Sequence, residues 1–315
     1  MQPNTHTLQA TVYKSTGSWY VLKNEQGIML NARIKGVFKI AGSTSTNPIA
    51  VGDKVAYTIE NEVEHTGIIH HIYDRTNYIN RQSPANKHAH HIIASNLDQC
   101  LLFATLKDPR TSLGFIDRFL ITAEAYQVPA IIVFNKADIY RAKELALYEH
   151  IKAIYEQCNY KVILLSLVSG VGVKAIQAEL AHKVTLLSGH SGVGKSTFIN
   201  TLFPQFDLRT QVVSDWSGKG LHTTTFAEMY DLPTGGSIID TPGIRELGLV
   251  DVAKVELSHY FPEMKRVIAQ CKYNDCLHYN EKNCGVKDAL NANLISEERY
   301  VSYLGLLDEI VEKKY

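Results

Sequence analysis

The chain has little that would tie it to a membrane or an export route. Its 315 residues contain no long hydrophobic run, and stretches such as "AIIVF" at 130–134 are far shorter than the roughly 20 apolar residues of a membrane helix. The opening "MQPNTHTLQA" lacks a basic segment followed by an apolar core, which argues against a secretory leader and predicts a cytoplasmic protein with no membrane partner. Excess charge of one sign is absent too: Lys plus Arg and Asp plus Glu both number 32, so any nucleic-acid contact must be local. Cysteine is scarce, at five residues, and unevenly placed. Cys100 and Cys158 stand alone in apolar surroundings and read as core, whereas Cys271, Cys276 and Cys284 crowd into one stretch, where a reducing compartment favours a metal over disulfides. No internal repeat or low-complexity tract interrupts the chain, and 45% hydrophobic with 20% charged residues is ordinary for a folded protein.

What is present falls into three regions. Residues 1–75 carry short β-prone runs ("LQATVYK", "SWYVLKN", "GIMLNARI", "GVFKI", "DKVAYTIE", "TGIIHHIY") split by Gly, Asn, Ser and Pro. That rhythm predicts a small barrel, best fitted by an OB-type barrel with an SH3-like barrel as the alternative. Over 76–252 apolar runs alternate with helical patterns: "QCLLFATL" before "GFIDRFLITAEAY", "PAIIVFN" before "AKELALYEHIKAIYEQC", "KVILLS" before "VKAIQAELA". This predicts an α/β domain with a mainly parallel sheet. Residues 253–315 read as helical, from "LSHYFPEMKRVIAQ" to "SEERYVSYLGLLDEIVEKK".

The α/β region carries the chemistry. "GHSGVGKS", after a strand and before a helix, matches GxxxxGK[ST] and makes Gly189, His190, Ser191, Gly192, Val193, Gly194, Lys195, Ser196 and the following Thr197 a phosphate loop. Its backbone N–H groups would cradle phosphates, Lys195 would neutralise β and γ oxygens, and Ser196 would bind Mg²⁺. "SIIDTPG" supplies Asp240 for Mg²⁺ and Gly243 for the γ-phosphate. "NKAD" supplies Asn135, Lys136 and Asp138, whose carboxylate can accept from the ring N–H and amino group of guanine together, a contact adenine cannot return. "LLSLVSG" adds Ser166 and Leu167, the leucine departing from the usual Ser-Ala pairing in guanine-binding domains. In "WSGKGLHTTTFAEMY" a threonine should sense the γ-phosphate and bind Mg²⁺, Thr224 before Thr223. Ile244 follows DTPG where signalling GTPases place a water-orienting glutamine, which predicts unaided turnover on the order of 10⁻⁴ per second. His222, in the threonine loop, is the candidate that would orient or deprotonate the water; a solvated loop histidine is the other reading.

Along the chain these motifs run NKAD, serine loop, phosphate loop, threonine loop, DTPG, which is the ordinary order cut and rejoined: a circular permutation. The new order leads from DTPG into the C-terminal helices, which predicts that hydrolysis reorients that module. The permuted order, "DTPGI", "GKGLHTTT", the barrel ahead and the cysteines behind resemble the bacterial ribosome small subunit-dependent GTPase A family over nearly the whole chain. That resemblance implies a GTPase of late small-subunit maturation that binds the subunit and its rRNA near the decoding region, with hydrolysis stimulated by the subunit and used for release. A GTP-sensing RNA- or protein-binding scaffold is the alternative; a nucleotide kinase fits poorly with NKAD and DTPG. No DNA partner is expected, and the expected state is a monomer.

"CKYNDCLHYNEKNC" offers Cys271, Cys276, His278 and Cys284, three sulfurs and an imidazole, the ligand count of a closed tetrahedral zinc site. With all four positions filled by protein, one structural Zn²⁺ is expected, holding helices too small to form a core of their own. "RQSPANKHAHH" at 81–91 (Arg81, Lys87, His88, His90, His91) reads as a solvated linker ahead of an RNA-phosphate contact, and a second metal site is the weakest reading. In the barrel Tyr13, Trp19, Tyr20, Phe38 and Tyr57 are candidates for a base-stacking face, about half of them core because strands alternate faces.

Overall fold

Hydrophobic alternation and turn residues resolve the chain into thirteen strands and seven α-helices among the described residues of the computed structural model, which are 7–34, 48–82, 90–204, 227–241 and 252–310. The strands are β1 Leu8–Ser15, β2 Tyr20–Asn24, β3 Met29–Ile34, β4 Lys54–Asn61, β5 Thr66–Ile72, β6 Tyr78–Gln82, β7 His90–Ser95, β8 Gln99–Ala104, β9 Ala130–Phe134, β10 Lys161–Leu164, β11 Val184–Ser188, β12 Glu228–Asp231 and β13 Ser237–Asp240. The helices are α1 Leu113–Ala125, α2 Ala142–Gln157, α3 Val173–Leu180, α4 Lys195–Leu202, α5 Pro262–Lys265, α6 Gly285–Asn291 and α7 Glu297–Glu309. None of these helices is long and apolar enough to cross a membrane. The described residues group into two units that interleave along the chain: one holds the part up to Cys100, Ile176–Ser188 and the part from Lys195, the other Leu101–Ala175, Gly189–Gly194 and the C-terminal part.

In the first unit β1 pairs antiparallel with β2 and β4, β2 with β3, β4 with β5, while β3 and β5 run parallel, so five strands close in the order β1-β2-β3-β5-β4-β1. This is the OB-type barrel, and the alternating burial along β3 shows its inward and outward faces. Val12, Tyr20, Leu22, Ala32, Val55, Tyr57 and Ile69 fill its core. Tyr20 and Tyr57, each 1% exposed, and the buried Tyr13 are therefore unavailable for stacking, which leaves Trp19 at 46% exposure; Phe38 and "GVFKI" lie outside the described residues. The "VGDK" turn is held by a buried Asp53 whose carboxylate accepts from Arg75 Nε at 2.6 Å and Nη2 at 2.6 Å, from Ser95 Oγ at 2.5 Å and from the Ala50 N–H at 2.8 Å. Residues 81–91 were expected as linker, yet β6 and β7 pair antiparallel across them, because the alternating apolar positions of "YIN" and "HIIA" find each other; residues 83–89 lie outside the described set.

The barrel is extended within this unit by β12, which pairs with β1 at Lys14↔Glu228, and then by β13 and β11, giving β11-β13-β12-β1. β11 and β13 are parallel and β12 is antiparallel to β13. Side chains reinforce the seam: Lys14 donates to Glu228 at 2.8 Å, and Asp231 accepts from Tyr13 Oη at 2.6 Å, from Ser237 Oγ at 3.1 Å and from Lys23.

In the second unit the strand order is β10-β9-β8, with β9 and β10 parallel. Ser112 caps α1 by accepting from the Phe115 N–H, and Ser296 caps α7 by accepting from the Arg299 N–H, as serine does at helix starts. "LSHYFPEMKRVIAQ" is not one helix but a 3-10 turn at Lys254–Tyr260, α5 and a further turn at Ile268–Gln270, because Pro262 fits only a first helical turn and restarts the chain there. Leu257, Phe261, Met264, Val286, Ile295, Tyr303 and Leu306 of the C-terminal part share one apolar cluster with Ile121 of α1 and with Cys276 and Cys284 of the candidate ligand set.

Beneath that core Arg299, 1% exposed, donates to Asp117 of α1 at 2.6 Å and to Glu263 of α5 at 2.7 Å, and Tyr155 of α2 also donates to Asp117 at 2.7 Å. Burial pushes the Cys158 thiol up to about 12, with Glu263 adding to the shift, consistent with a core cysteine. A swing of the C-terminal module against α1 and α2 would have to open this buried network.

Candidate functional site

The base-reading half grows out of β9. Asn135, buried at its end, donates its backbone N–H to Ala104 O at 2.9 Å, and its own carbonyl accepts from Tyr140 Oη at 2.6 Å. Its side-chain Nδ2 donates to Val193 O at 2.9 Å, joining NKAD to the phosphate loop inside one unit. Lys136 takes a left-handed conformation, φ 63°, and its ammonium donates to Asp108 O at 2.6 Å. Asp138 is exposed, with Oδ1 fixed by the Ser166 hydroxyl at 2.7 Å. Ser166 is wholly buried and also accepts from the Ser169 N–H at 3.1 Å, so the serine loop orients the Asp138 carboxylate. Leu167 is half-buried beside it.

The phosphate loop leaves β11 and enters α4, the strand–turn–helix setting its motif requires. Gly194 has φ 98°, and a Cβ there would fall 2.5 Å from Asn135 Nδ2; at Gly189, φ 137°, it would fall 2.4 Å from Phe103 O. Both positions therefore demand glycine. Val193 is buried, Ser191 and Thr197 are exposed, and His190 contacts Thr111 Oγ1 through Nε2 at 2.7 Å.

In the first unit Lys195 and Asp240 lie in each other's field. Burial pushes the Lys195 ammonium down, opposed by Asp240, and pushes the Asp240 carboxyl up, opposed by Lys195 and by the Thr241 N–H. Both ions are desolvated ahead of any ligand: a phosphate would complete the lysine and a hard cation the carboxylate, with Ser196 half-buried at the start of α4. Gly243, His222, Thr223 and Thr224 lie outside the described residues. Thr111, Tyr140 and the Asp108 carbonyl carry no local signal, because their contacts depend on a loop returning from β8.

The second cluster is in the C-terminal module. One ligand atom each from Cys271, Cys276, His278 and Cys284 lies within 4.8 Å of all the others. Cys271 Sγ is 3.6 Å from His278 Nδ1 and 3.9 Å from Cys284 Sγ, and His278 Nδ1 is 3.3 Å from Cys284 Sγ. The edges of a tetrahedron with Zn–S about 2.3 Å and Zn–N about 2.0 Å are about 3.5–3.8 Å, so the donors fit zinc in type and spacing. Without a cation, burial and the neighbouring sulfurs push the Cys276 thiol up to about 12, and burial pushes the His278 imidazole down. Glu281, another residue the sequence did not single out, clamps the turn by accepting from the Leu277 N–H at 2.9 Å and the Tyr279 N–H at 2.8 Å. Tyr303 and Tyr300 hold its other side through the carbonyls of Leu277 and His278.

A family model described as RsgA GTPase matches residues 72–250, and one described as RsgA N-terminal domain matches residues 9–69. A Flavobacterium psychrophilum protein named small ribosomal subunit biogenesis GTPase RsgA is 51% identical over 298 residues, covering 94% of this chain and 91% of its own. A Bacteroides fragilis protein of the same name is 47% identical over 98% of this chain and 99% of its own. Among solved structures, YjeQ from Thermotoga maritima superposes with a TM-score of 0.79 at 30% identity over 98% of this chain and 100% of its own. YloQ, titled a circularly permuted GTPase, gives 0.74 at 26% identity over 100% of this chain and 99% of its own.

Proposed function

The chain belongs to the RsgA GTPase family and is a GTP hydrolase, and from that premise we propose that it acts in late maturation of the small ribosomal subunit. In this reading it binds the subunit and its rRNA, the subunit stimulates hydrolysis, and hydrolysis releases the protein. Work on ribosomal subunits sets it in the cytoplasm. Its labour divides into the barrel 1–75, the permuted GTPase domain 76–252 and the metal-binding module 253–315.

The observation that carries the nucleotide reading is the Asn135 bond to the Val193 carbonyl, which couples the base reader to the phosphate cradle. Asp138, oriented by Ser166, accepts from guanine's ring N–H and amino group and so selects against adenine. The N–H groups of the 189–194 loop and Lys195 take the phosphates. Ser196, Asp240 and Thr224 would hold Mg²⁺, which neutralises charge on the β and γ oxygens. Thr224 senses the γ-phosphate and His222 orients the attacking water, and with Ile244 after DTPG basal turnover stays slow until a partner stimulates it. Zn²⁺ on Cys271, Cys276, His278 and Cys284 is structural.

The test is co-sedimentation of the purified protein with small subunits in a non-hydrolysable GTP analogue and in GDP. Retention in the analogue and loss in GDP are expected. Equal retention in both, or none in either, contradicts the release role.

A further inference from the structure

Position two of the phosphate loop is open in its motif, and in this chain a histidine fills it. His190 Nε2 lies 2.7 Å from Thr111 Oγ1 and Nδ1 lies 3.2 Å from Ser191 O, while the ring packs edge-on against Phe115 at 5.4 Å. A carbonyl only accepts, so Nδ1 carries the proton and Nε2 accepts from the Thr111 hydroxyl. The same Thr111 oxygen accepts from the Thr105 N–H at 3.0 Å, and the Thr111 N–H donates to Thr105 O at 2.8 Å.

The loop that Thr105 and Thr111 close also reaches the base reader. Lys136 donates to Asp108 O at 2.6 Å, and the Leu106 N–H donates at 2.9 Å to Tyr140 Oη, which donates to Asn135 O at 2.6 Å. A Cβ at Gly192 would stand 3.5 Å from the Pro109 ring, so the loop lines the phosphate side as well. One segment thus touches NKAD at one end and the phosphate loop at the other, and Thr111 is its only side chain bonded to His190 among the contacts described.

We propose that Thr111 is a positioning residue for nucleotide binding, which through the His190 imidazole holds the Gly189–Gly194 loop in the conformation that receives the phosphates. It acts on the loop and touches no substrate. Thr111 meets the loop through His190 and not the reacting phosphate, so its loss should weaken ground state and transition state alike and raise KM rather than lower kcat. Because chemistry in this enzyme is slow, KM follows the dissociation constant.

The inference rests on the nucleotide site proposed above, and its experiment separates the two. GTP turnover and binding of fluorescent GDP are measured for the full-length wild type, Thr111→Val, Thr111→Ser, His190→Phe and the Val/Phe double variant, with ADP as competitor. Thr111→Val and His190→Phe should each raise KM about 3- to 10-fold, the range for losing one neutral hydrogen bond, with kcat within about twofold. The double variant should be no worse than the weaker single, and Thr111→Ser should regain wild-type KM. An unchanged KM in Thr111→Val, single effects that multiply in the double, or a serine variant as impaired as the valine one would overturn the proposal. Should Thr111→Val fail to fold, His190→Phe against wild type decides, and unchanged GDP affinity there overturns it equally. A wild type that ADP displaces as readily as GDP would instead overturn the guanine site itself.

Discussion

At Gly194 the backbone has a conformation only glycine holds at low cost, and the Asn135 amide stands where a Cβ would go. Gly194→Ala must break the Asn135–Val193 bond or distort the loop, so affinity for GDP should fall about 10-fold or more, by fluorescence titration. Affinity within twofold of wild type would mean the loop relaxes freely. The residues of this half were legible in sequence because each motif is local: GxxxxGKS and NKAD carry their chemistry in consecutive positions. Thr111 and Glu281 were not, since a threonine in "DPRTS" or a glutamate in "HYNEKNC" is indistinguishable from any solvated loop residue until the chain folds back.

Between elements, the joints are ionic and long in sequence. Arg299 and Asp117 are 182 residues apart, and the guanidinium is shared with Glu263. Arg299→Met leaves two buried carboxylates without a counter-charge and should cost about 3–5 kcal/mol in urea unfolding; a loss below about 1 kcal/mol would show the carboxylates are solvated after all. At the barrel seam, burial alone would raise Asp231, but hydrogen bonds from Lys23, Tyr13 and Ser237 outweigh it and hold the carboxyl below its ordinary range. A depressed carboxyl adds stability above its unfolded value near 4, and that contribution is lost as pH falls through the lower folded value. Asp231→Asn should therefore be less stable than wild type at pH 7, with the gap closing below about pH 4 in thermal melts. A gap independent of pH would assign the effect to packing. The strands and major helices were readable from alternation and periodicity, whereas pairing of β12 with β1 was not, because nothing local in "FAEMYDL" names its partner. The helical reading of 253–315 fails at Pro262, whose ring lets a helix begin there but not pass through it.

For the molecule as a whole, NKAD, Gly189–Gly194 and the metal-binding module fall in one unit, and the barrel with β11, β12, β13 and the segment from Lys195 in another. Because Tyr303, Leu306 and Leu307 of α7 share an apolar cluster with Leu257, Phe261, Met264 and Ile121 as well as with Cys276 and Cys284, removing zinc should open the 271–284 turn while leaving α7 folded. A chromophoric chelator should release about one zinc per chain, with rapid hydrogen exchange confined to that turn; global unfolding, or no zinc in protein purified without chelator, would contradict this. The permuted motif order was visible in sequence because permutation preserves each motif and alters only their succession. The coupling of the C-terminal module to α1 and α2 was not, since it depends on contacts between segments that sequence separates widely.

The most direct measurement is the rate of GTP hydrolysis with and without purified small ribosomal subunits. The account predicts basal turnover on the order of 10⁻⁴ per second, raised by at least about tenfold by small subunits and not by large ones. An unchanged rate at saturating small subunits, or fast hydrolysis in their absence, would contradict it.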